Sequence, residues 1–307
     1  MGTPDFATES LKALVNAGAN IAGVITAPDK PSGRGRKLTP SPVKKYAEKN
    51  GLKVLQPEKL KAPEFLDELK ALNADLQVVV AFRMLPEVVW NMPPKGTFNL
   101  HASLLPEYRG AAPINWAVIN GEKKTGVTTF FLKHEIDTGD IIFREEVPIS
   151  RNDNAGSVHD KLMEAGARLV VKTVEAVAQN NVRPIPQPQK ESKPAPKIFK
   201  DDCRIDWRAD SLKIHNLVRG LSPYPTAWTQ LITPDGETTS VKIFQTEKND
   251  SDGLKAGEIY CDNNKLILVG TANGDLKIHE LQMAGKKRMN TEDFLRGHKI
   301  EEGSRFE

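Results

Sequence analysis

Asn99 and His101 stand two residues apart in Phe98-Asn99-Leu100-His101-Ala102-Ser103-Leu104-Leu105-Pro106, and two is the repeat of a β-strand. Strand side chains alternate between faces, so Phe98 and Leu100 project one way while the amide and the imidazole share the other. The segment then runs out into the turn 103–106, and open α/β sheets bind ligands at the carboxyl ends of their strands. The chemistry that suits this pair is acyl-group transfer. An amide N–H and a protonated imidazole stabilise the oxyanion of a tetrahedral intermediate, provided a carboxylate fixes the charge and orientation of the ring. The best carboxylate is Asp137 in Ile136-Asp137-Thr138-Gly139-Asp140, a loop in which Gly139 permits unusual backbone angles and which follows the apolar stretch 127–132. Taken singly, His101 reads as a core histidine and Asp137 as a turn former. The face shared with Asn99 shifts the balance toward catalysis.

Elements that would position these residues alternate along the first half of the chain. Leu11, Leu14 and Val15 recur at helical spacing and Gly18 offers a stop, while 21–26 reads as a buried strand. Phe65, Leu66, Leu69 and Leu72 form a second helical face, followed by strands at 76–81, 97–101 and 127–132. This alternation predicts a doubly wound α/β domain with a mostly parallel sheet, spanning 1–182. Crossover helices in such sheets connect two strands, so the helix that starts near Pro4 is expected to follow a strand. None precedes Gly2-Thr3-Pro4, and the first strand is therefore expected to be missing from the sheet. Closely spaced prolines make 183–199 an extended linker. Beyond it, short strands at 227–232, 241–246, 257–261, 265–269 and 275–281 predict a small C-terminal β-barrel over 200–307.

Composition narrows the class. Among 307 residues, 39% are hydrophobic and 27% charged, as in a globular protein that is neither disordered nor embedded in a membrane. The first ten residues lack the basic and apolar regions of a signal peptide, and the apolar run 76–85 is too short to span a bilayer and contains Arg83. Two cysteines, Cys203 and Cys261, with no CxxC pair, fit a reducing cytoplasm and no zinc site. GxGxxG after a strand, Walker A, HExxH and GxSxG are all absent, which argues against a dinucleotide enzyme, a P-loop ATPase and a metalloprotease.

The net charge of +3 is mild, but its distribution is informative. The segment 28–44 follows a strand, is rich in Gly and Pro, and gathers Arg34, Arg36 and Lys37 with only Asp29 opposing them. A solvated loop is the ordinary reading of such a run. The glycines flanking Arg34 favour close approach to a phosphate backbone instead. Lys286-Lys287-Arg288 after Gly285 is weaker alone and extends a nucleic-acid track on a barrel joined to a catalytic domain.

Together these segments resemble the methionyl-tRNA formyltransferase family. The resemblance covers nearly the whole chain: Gly2-Thr3-Pro4-Asp5-Phe6, Gly33-Arg34-Gly35 with Ser41-Pro42-Val43-Lys44, the stretch 99–113 including Tyr108-Arg109-Gly110-Ala111-Ala112-Pro113, Asp137-Thr138-Gly139-Asp140, Ile205-Asp206-Trp207 and Ala284-Gly285-Lys286-Lys287. It implies a Rossmann-type formyltransferase domain followed by an OB-like barrel. It also implies transfer of the formyl group of 10-formyltetrahydrofolate, a co-substrate, to the α-amine of methionyl-initiator tRNA, without a metal, in a cytoplasmic monomer. The family's catalytic positions fall on Asn99, His101 and Asp137, and its folate turn on Ser103, Leu104, Leu105 and Pro106. Arg34 matches the loop arginine that engages the tRNA acceptor end, with Arg36, Lys37, Lys286 and Lys287 as further tRNA contacts. Where family members often have Tyr-Gly this chain has Phe82-Arg83, so Phe82 is the aromatic residue expected beside the folate. Two other classes share parts of the pattern. A formyltransferase of nucleotide sugars or purine precursors needs the catalytic set without the arginine loop. A non-catalytic RNA-binding protein needs the basic segments without Asn99, His101 and Asp137.

Overall fold

In the computed structural model, residues 1–32, 37–188, 192–249, 251 and 253–307 are described. Two units partition the chain. The first takes Met1–Gly110, Thr125–Pro148 and Asp160–Pro194; the second takes Ala111–Lys124, Ile149–His159 and Ala195–Glu307. The partition crosses the boundary expected near 182, because 111–124 and 149–159 pack with the later residues.

The helices of the first unit begin where local chemistry starts them. Asp5–Asn16 follows Pro4 in extended conformation, carries Asp5 in its first turn against the positive helix end, and buries Phe6 and Leu14. It stops at Gly18, whose φ of +74° lets the Gly18 and Ala19 N–H groups donate to the Val15 and Leu14 carbonyls. Pro42–Lys49 has Ser41 as its cap, with the hydroxyl accepting the Lys44 N–H at 3.1 Å, and Pro63–Ala71 buries Phe65 and Leu69. Both helices start on proline, where a missing N–H costs nothing.

One sheet runs in the order Gln77–Val80, Thr97–His101, Lys124–Phe131, Ile141–Pro148. Its first pair is parallel and its second antiparallel, so the α/β layer is mixed. Val24–Ile25 and Val54–Leu55 form a separate parallel pair. The strand expected over 21–26 contracts to those two residues, since beyond its Val54–Leu55 side it meets Gly2 alone. Gly2 N–H donates to the Ile25 carbonyl at 3.0 Å, Val80 N–H to the Met1 carbonyl at 2.9 Å, and the Met1 amino group to the Val78 carbonyl at 2.7 Å. Beside this two-residue junction lies a cavity of about 470 Å³ lined by Leu11, Leu14, Ile21, Val24, Leu72 and Val78 among others.

The second unit is a barrel-like antiparallel sheet ordered Ile259–Cys261, Ile267–Gly270, Asp275–Met283, Thr238–Asn249, Ala227–Ile232, Arg305–Phe306. Its ends nearly meet: Phe306 N–H donates to the Gly257 carbonyl at 2.8 Å, and Glu258 bridges Arg305. Gly257 is required there, because at φ +81° a Cβ would lie 2.4 Å from the Phe306 carbonyl oxygen. Val218, Ile243, Ile267, Leu276 and Ile278 fill the core. Trp207 stacks on Phe306 with ring centroids 5.5 Å apart and donates to Thr229 Oγ1 at 2.9 Å. Helix Ser211–Leu221 packs against Pro113–Ile119, with Asn115 Nδ2 donating to the Gly220 carbonyl at 2.8 Å. Among the described residues no helix is long and apolar enough to cross a membrane, and no cluster of His, Cys, Asp or Glu could hold a metal ion.

Candidate active site

Thr97–His101 pairs with strands on both sides, which fixes its register and therefore its faces. Leu100 turns toward helix Ala155–Ala178, where Gly166 has no side chain; a Cβ there would come within 2.7 Å of Leu100. The opposite face carries Asn99 and His101. No hydrogen-bond partner to the half-buried Asn99 amide is found among the described residues, whereas His101 is buried and held.

The His101 ring is oriented by its two nitrogens. Nε2 lies 2.9 Å from the Tyr108 carbonyl oxygen, which can only accept, so Nε2 carries a proton. Nδ1 faces Asp137 Oδ2 at 3.8 Å. Asp137 is nearly as enclosed as His101, with side-chain exposures of 12% and 8%. Its backbone has φ +55°, a conformation rare for a side chain larger than hydrogen, and Gly139 two residues on is packed so tightly that a Cβ would fall 1.6 Å from the Phe131 carbonyl oxygen. The structure thus brings together all three residues expected from the sequence, on one strand and one loop.

Three further residues join them. Gly110 N–H donates to Asp137 Oδ2 at 3.1 Å. Gln187, a lone amide between Pro186 and Pro188, donates through Nε2 to the carbonyls of Asp137 at 2.9 Å and Gly139 at 2.8 Å, and its Oε1 accepts from Arg109 Nε at 3.2 Å and a terminal guanidinium nitrogen at 2.5 Å. Sequence reasoning assigned neither Arg109 nor Gln187 a role. The stretch 183–199 looked like a spacer, yet Ile185 is bonded to Ile141 by a reciprocal backbone pair at 2.8 and 2.9 Å, so its first residues are bound to the catalytic unit. The only sequence cue was an amide where a spacer needs none.

The turn after the strand is internally bonded. Thr128 Oγ1 donates to the Ser103 carbonyl at 2.6 Å and accepts the Leu105 N–H at 3.1 Å; Ser103 Oγ donates to the Glu107 carbonyl at 2.6 Å, and Arg144 to the Leu105 carbonyl at 3.0 Å. Ser103 and Leu105 are fully buried, so they shape the turn while Leu104 and Pro106 complete its course. Phe82 packs on the cluster that contains Val79, Leu85 and Val89. Arg83 lies 5.6 Å from its ring centroid and donates to the Glu58 carbonyl at 2.7 Å and to that of Pro57. The Phe82-Arg83 pair thus ties this segment to 57–58.

Of the basic residues, Arg34 and Arg36 lie outside the described residues. Within the segment 28–44, Lys30–Ser32 pairs with Lys37–Thr39, placing Lys37 at the turn end of a hairpin, directly after 33–36. The Asp29 carboxylate accepts from Lys44 at 2.7 Å and Gln56 at 2.8 Å, which hold it below the usual carboxylate range. Lys286 and Lys287 are exposed beside Gly285 on the barrel and have no acidic partner among the described residues, while Arg288 is paired with Glu280 and lies 4.1 Å from the Phe244 ring centroid.

A family model described as formyl transferase matches residues 1–174, and one described as the formyl transferase C-terminal domain matches 197–299. The chain is 60% identical to a methionyl-tRNA formyltransferase of Parabacteroides distasonis over 97% of its own length and 94% of the relative's. It is 56% identical to that of Bacteroides fragilis over 98% and 95%, and 48% identical to that of Porphyromonas gingivalis over 97% and 94%. Among solved structures, the sugar 3N-formyl transferase WlaRD with dTDP and 5-N-formyl-THF aligns with a TM-score of 0.66 at 21% identity, covering 93% of this chain and 97% of that one. HypX from Aquifex aeolicus with tetrahydrofolic acid aligns with a TM-score of 0.59 at 22% identity, over 81% of this chain and 43% of that one. At these identities the two structures establish the fold.

Proposed function

We propose a residue-level mechanism from one premise: this chain belongs to the formyl transferase family and, by identity over nearly its whole length, to the methionyl-tRNA formyltransferases within it. The reaction moves the formyl group of 10-formyltetrahydrofolate to the α-amine of methionine on initiator tRNA, giving N-formylmethionyl-tRNA for translation initiation. The conjunction of Asn99 and His101 on one strand face, with Asp137 3.8 Å from the ring, is the observation that carries the assignment of roles.

Asn99 donates through its amide N–H groups to the formyl oxygen as negative charge develops there. His101 adds a second donor or a positive charge, with its ring plane set by Tyr108. The attacking amine must be neutral and sheds a proton as the new C–N bond forms, and the Asp137 carboxylate receives it. The tetrahydrofolate nitrogen takes up that proton and leaves as its bond to the formyl carbon breaks. The turn of Ser103, Leu104, Leu105 and Pro106 borders the folate, with buried Ser103 and Leu105 holding its shape and Phe82 supplying an apolar ring beside it. Arg34, Arg36 and Lys37 engage the tRNA acceptor end, and Lys286 and Lys287 add phosphate contacts on the barrel. Such an enzyme works in the cytoplasm, where initiator tRNA is charged.

The test is to supply formylated folate with either methionyl-tRNA or small amines, including nucleotide-linked amino sugars, and to follow tetrahydrofolate release. Release dependent on methionyl-tRNA supports the reading. Release with the small amines alone overturns the tRNA assignment, and no release with any acceptor overturns the catalytic one.

A further inference from the structure

We propose that Gln187 is a positioning residue for formyl transfer, acting as a bridge that holds the catalytic loop in register with Arg109. The inference rests on the assignment of Asp137 above and goes beyond it, to a residue outside the strand and loop that carry the chemistry.

Valence makes the bridge specific. Arg109 offers only donors and the two loop carbonyls only acceptors, so the amide can sit one way round: Oε1 toward the guanidinium, both Nε2 hydrogens toward Asp137 and Gly139. All the hydrogen-bonding capacity of the side chain is used. The carbonyls it holds are those of the loop least able to keep its shape unaided. Asp137 sits in the left-handed region without being glycine, and Gly139 packs against the Phe131 carbonyl. Fixing the carbonyl of Asp137 fixes the direction in which its carboxylate leaves the backbone, toward His101 Nδ1 and the Gly110 N–H.

The segment that carries Gln187 is itself anchored. Ile185 is paired with Ile141 two residues before it, and Lys193 lies beyond it, its carbonyl accepting the Tyr108 N–H at 2.6 Å. Tyr108 is the residue whose carbonyl orients His101 Nε2. Ile185 and Gln187 are therefore bonded to the loop that carries Asp137 and to the strand after it, and Lys193 is bonded to the residue that orients His101.

Three variants test this: Gln187→Ala, Gln187→Glu and Gln187→Asn. Glutamate has the same shape, can still accept from Arg109, and turns a carboxylate oxygen on two carbonyls. Displacing a catalytic group by about 1 Å costs up to roughly 100-fold in rate. The expected result is a fall in kcat of roughly 10- to 100-fold for Gln187→Ala and a larger one for Gln187→Glu, with KM for folate and for methionyl-tRNA changed less than about 3-fold. Gln187→Asn is too short to span the gap and should behave like alanine. Hydrogen exchange in the peptide 132–140 should quicken in each variant. A Gln187→Glu enzyme as active as wild type would overturn the proposal, because space-filling would then suffice. So would losses confined to KM, or unchanged exchange in 132–140. These outcomes are read against a wild-type enzyme that transfers formyl groups; absence of wild-type transfer would count against the function, not the bridge.

Discussion

The Gly110 N–H donates to the same oxygen of Asp137, Oδ2, that faces His101 Nδ1, at 3.1 Å and 3.8 Å respectively. One carboxylate oxygen is thus pinned by a backbone donor while it addresses the imidazole. Removing either side chain should cost roughly 3 kcal/mol of transition-state stabilisation, or 100- to 1,000-fold in kcat/KM. His101→Ala and Asp137→Ala are therefore expected to lose transfer while binding methionyl-tRNA nearly as wild type does. Steady-state kinetics alongside a filter-binding titration would check both halves, and activity within a few-fold of wild type would remove either residue from the mechanism.

Gly139→Ala should be the most damaging change of a single methyl group in the catalytic unit. A Cβ 1.6 Å from the Phe131 carbonyl oxygen forces the loop away from the strand it follows. The expected outcome is loss of transfer comparable to Asp137→Ala, together with a fall in melting temperature, because the added methyl group meets Phe131 and Phe130 beside buried Ile141. Near-normal kinetics would mean that the loop has room the structure does not show.

Where Met1 carries a free amino group, that group makes stability depend on pH. The residue is half-buried, but its ammonium sits against the Val78 carbonyl between two sheet edges, and burial lowers its pKa from 8.0 to about 5. Between those values the unfolded chain holds a proton that the folded chain lacks. Stability from this group therefore rises with pH, by about 1.4 kcal/mol per unit across that window, and is lost as pH falls toward 5. Chemical denaturation at pH 5.5, 6.5 and 7.5 should show the slope, and Nα-acetylation should flatten it.

The same junction leaves the apolar cavity beside Met1 and Gly2 with room for extended chain. Fusing about six residues of alternating Val and Ile ahead of Met1 should raise the melting temperature, since each aliphatic side chain buried contributes roughly 1.5 to 3 kcal/mol. An unchanged melting temperature would show that the edges at Val24–Ile25 and Gln77–Val80 do not accept a strand between them.

Charge on the barrel is testable by salt. Lys286→Ala with Lys287→Ala should weaken tRNA binding and reduce the slope of log K against log salt by roughly 1 to 2, as expected for two lost phosphate contacts. Arg34→Ala should instead impair transfer to methionyl-tRNA with folate binding intact. An unchanged salt slope in the double variant would remove the barrel lysines from the interface.

The sequence disclosed what depends on local periodicity. Thr97–His101 has the bounds expected of it because alternating residues fix a strand paired on both sides, and Ala227–Ile232 is likewise as expected. The strand expected over 21–26 is only Val24–Ile25, since a strand's length is set by its neighbours, which no window of sequence contains. Gln187 illustrates the deeper limit. Its partners are 48 to 78 residues away, and only folding reveals that a glutamine among prolines is placed to satisfy two carbonyls and a guanidinium. The helices Ser211–Leu221 and Thr291–Gly297 stand among short strands whose alternation dominates the pattern around them.

The interleaving of the two packing units bears on how the gene can be divided. Ala117 and Val118 in helix Pro113–Ile119 are fully buried, as are Val218 and Leu221 in the helix they pack with, and no side chain separates Gly220 from Ile119. A scission near residue 182 would leave each fragment displaying one half of that contact to water. Fragments 1–182 and 183–307 should each bind a hydrophobic dye or aggregate when expressed alone, and regain solubility when expressed together. Reconstitution of transfer should require both fragments.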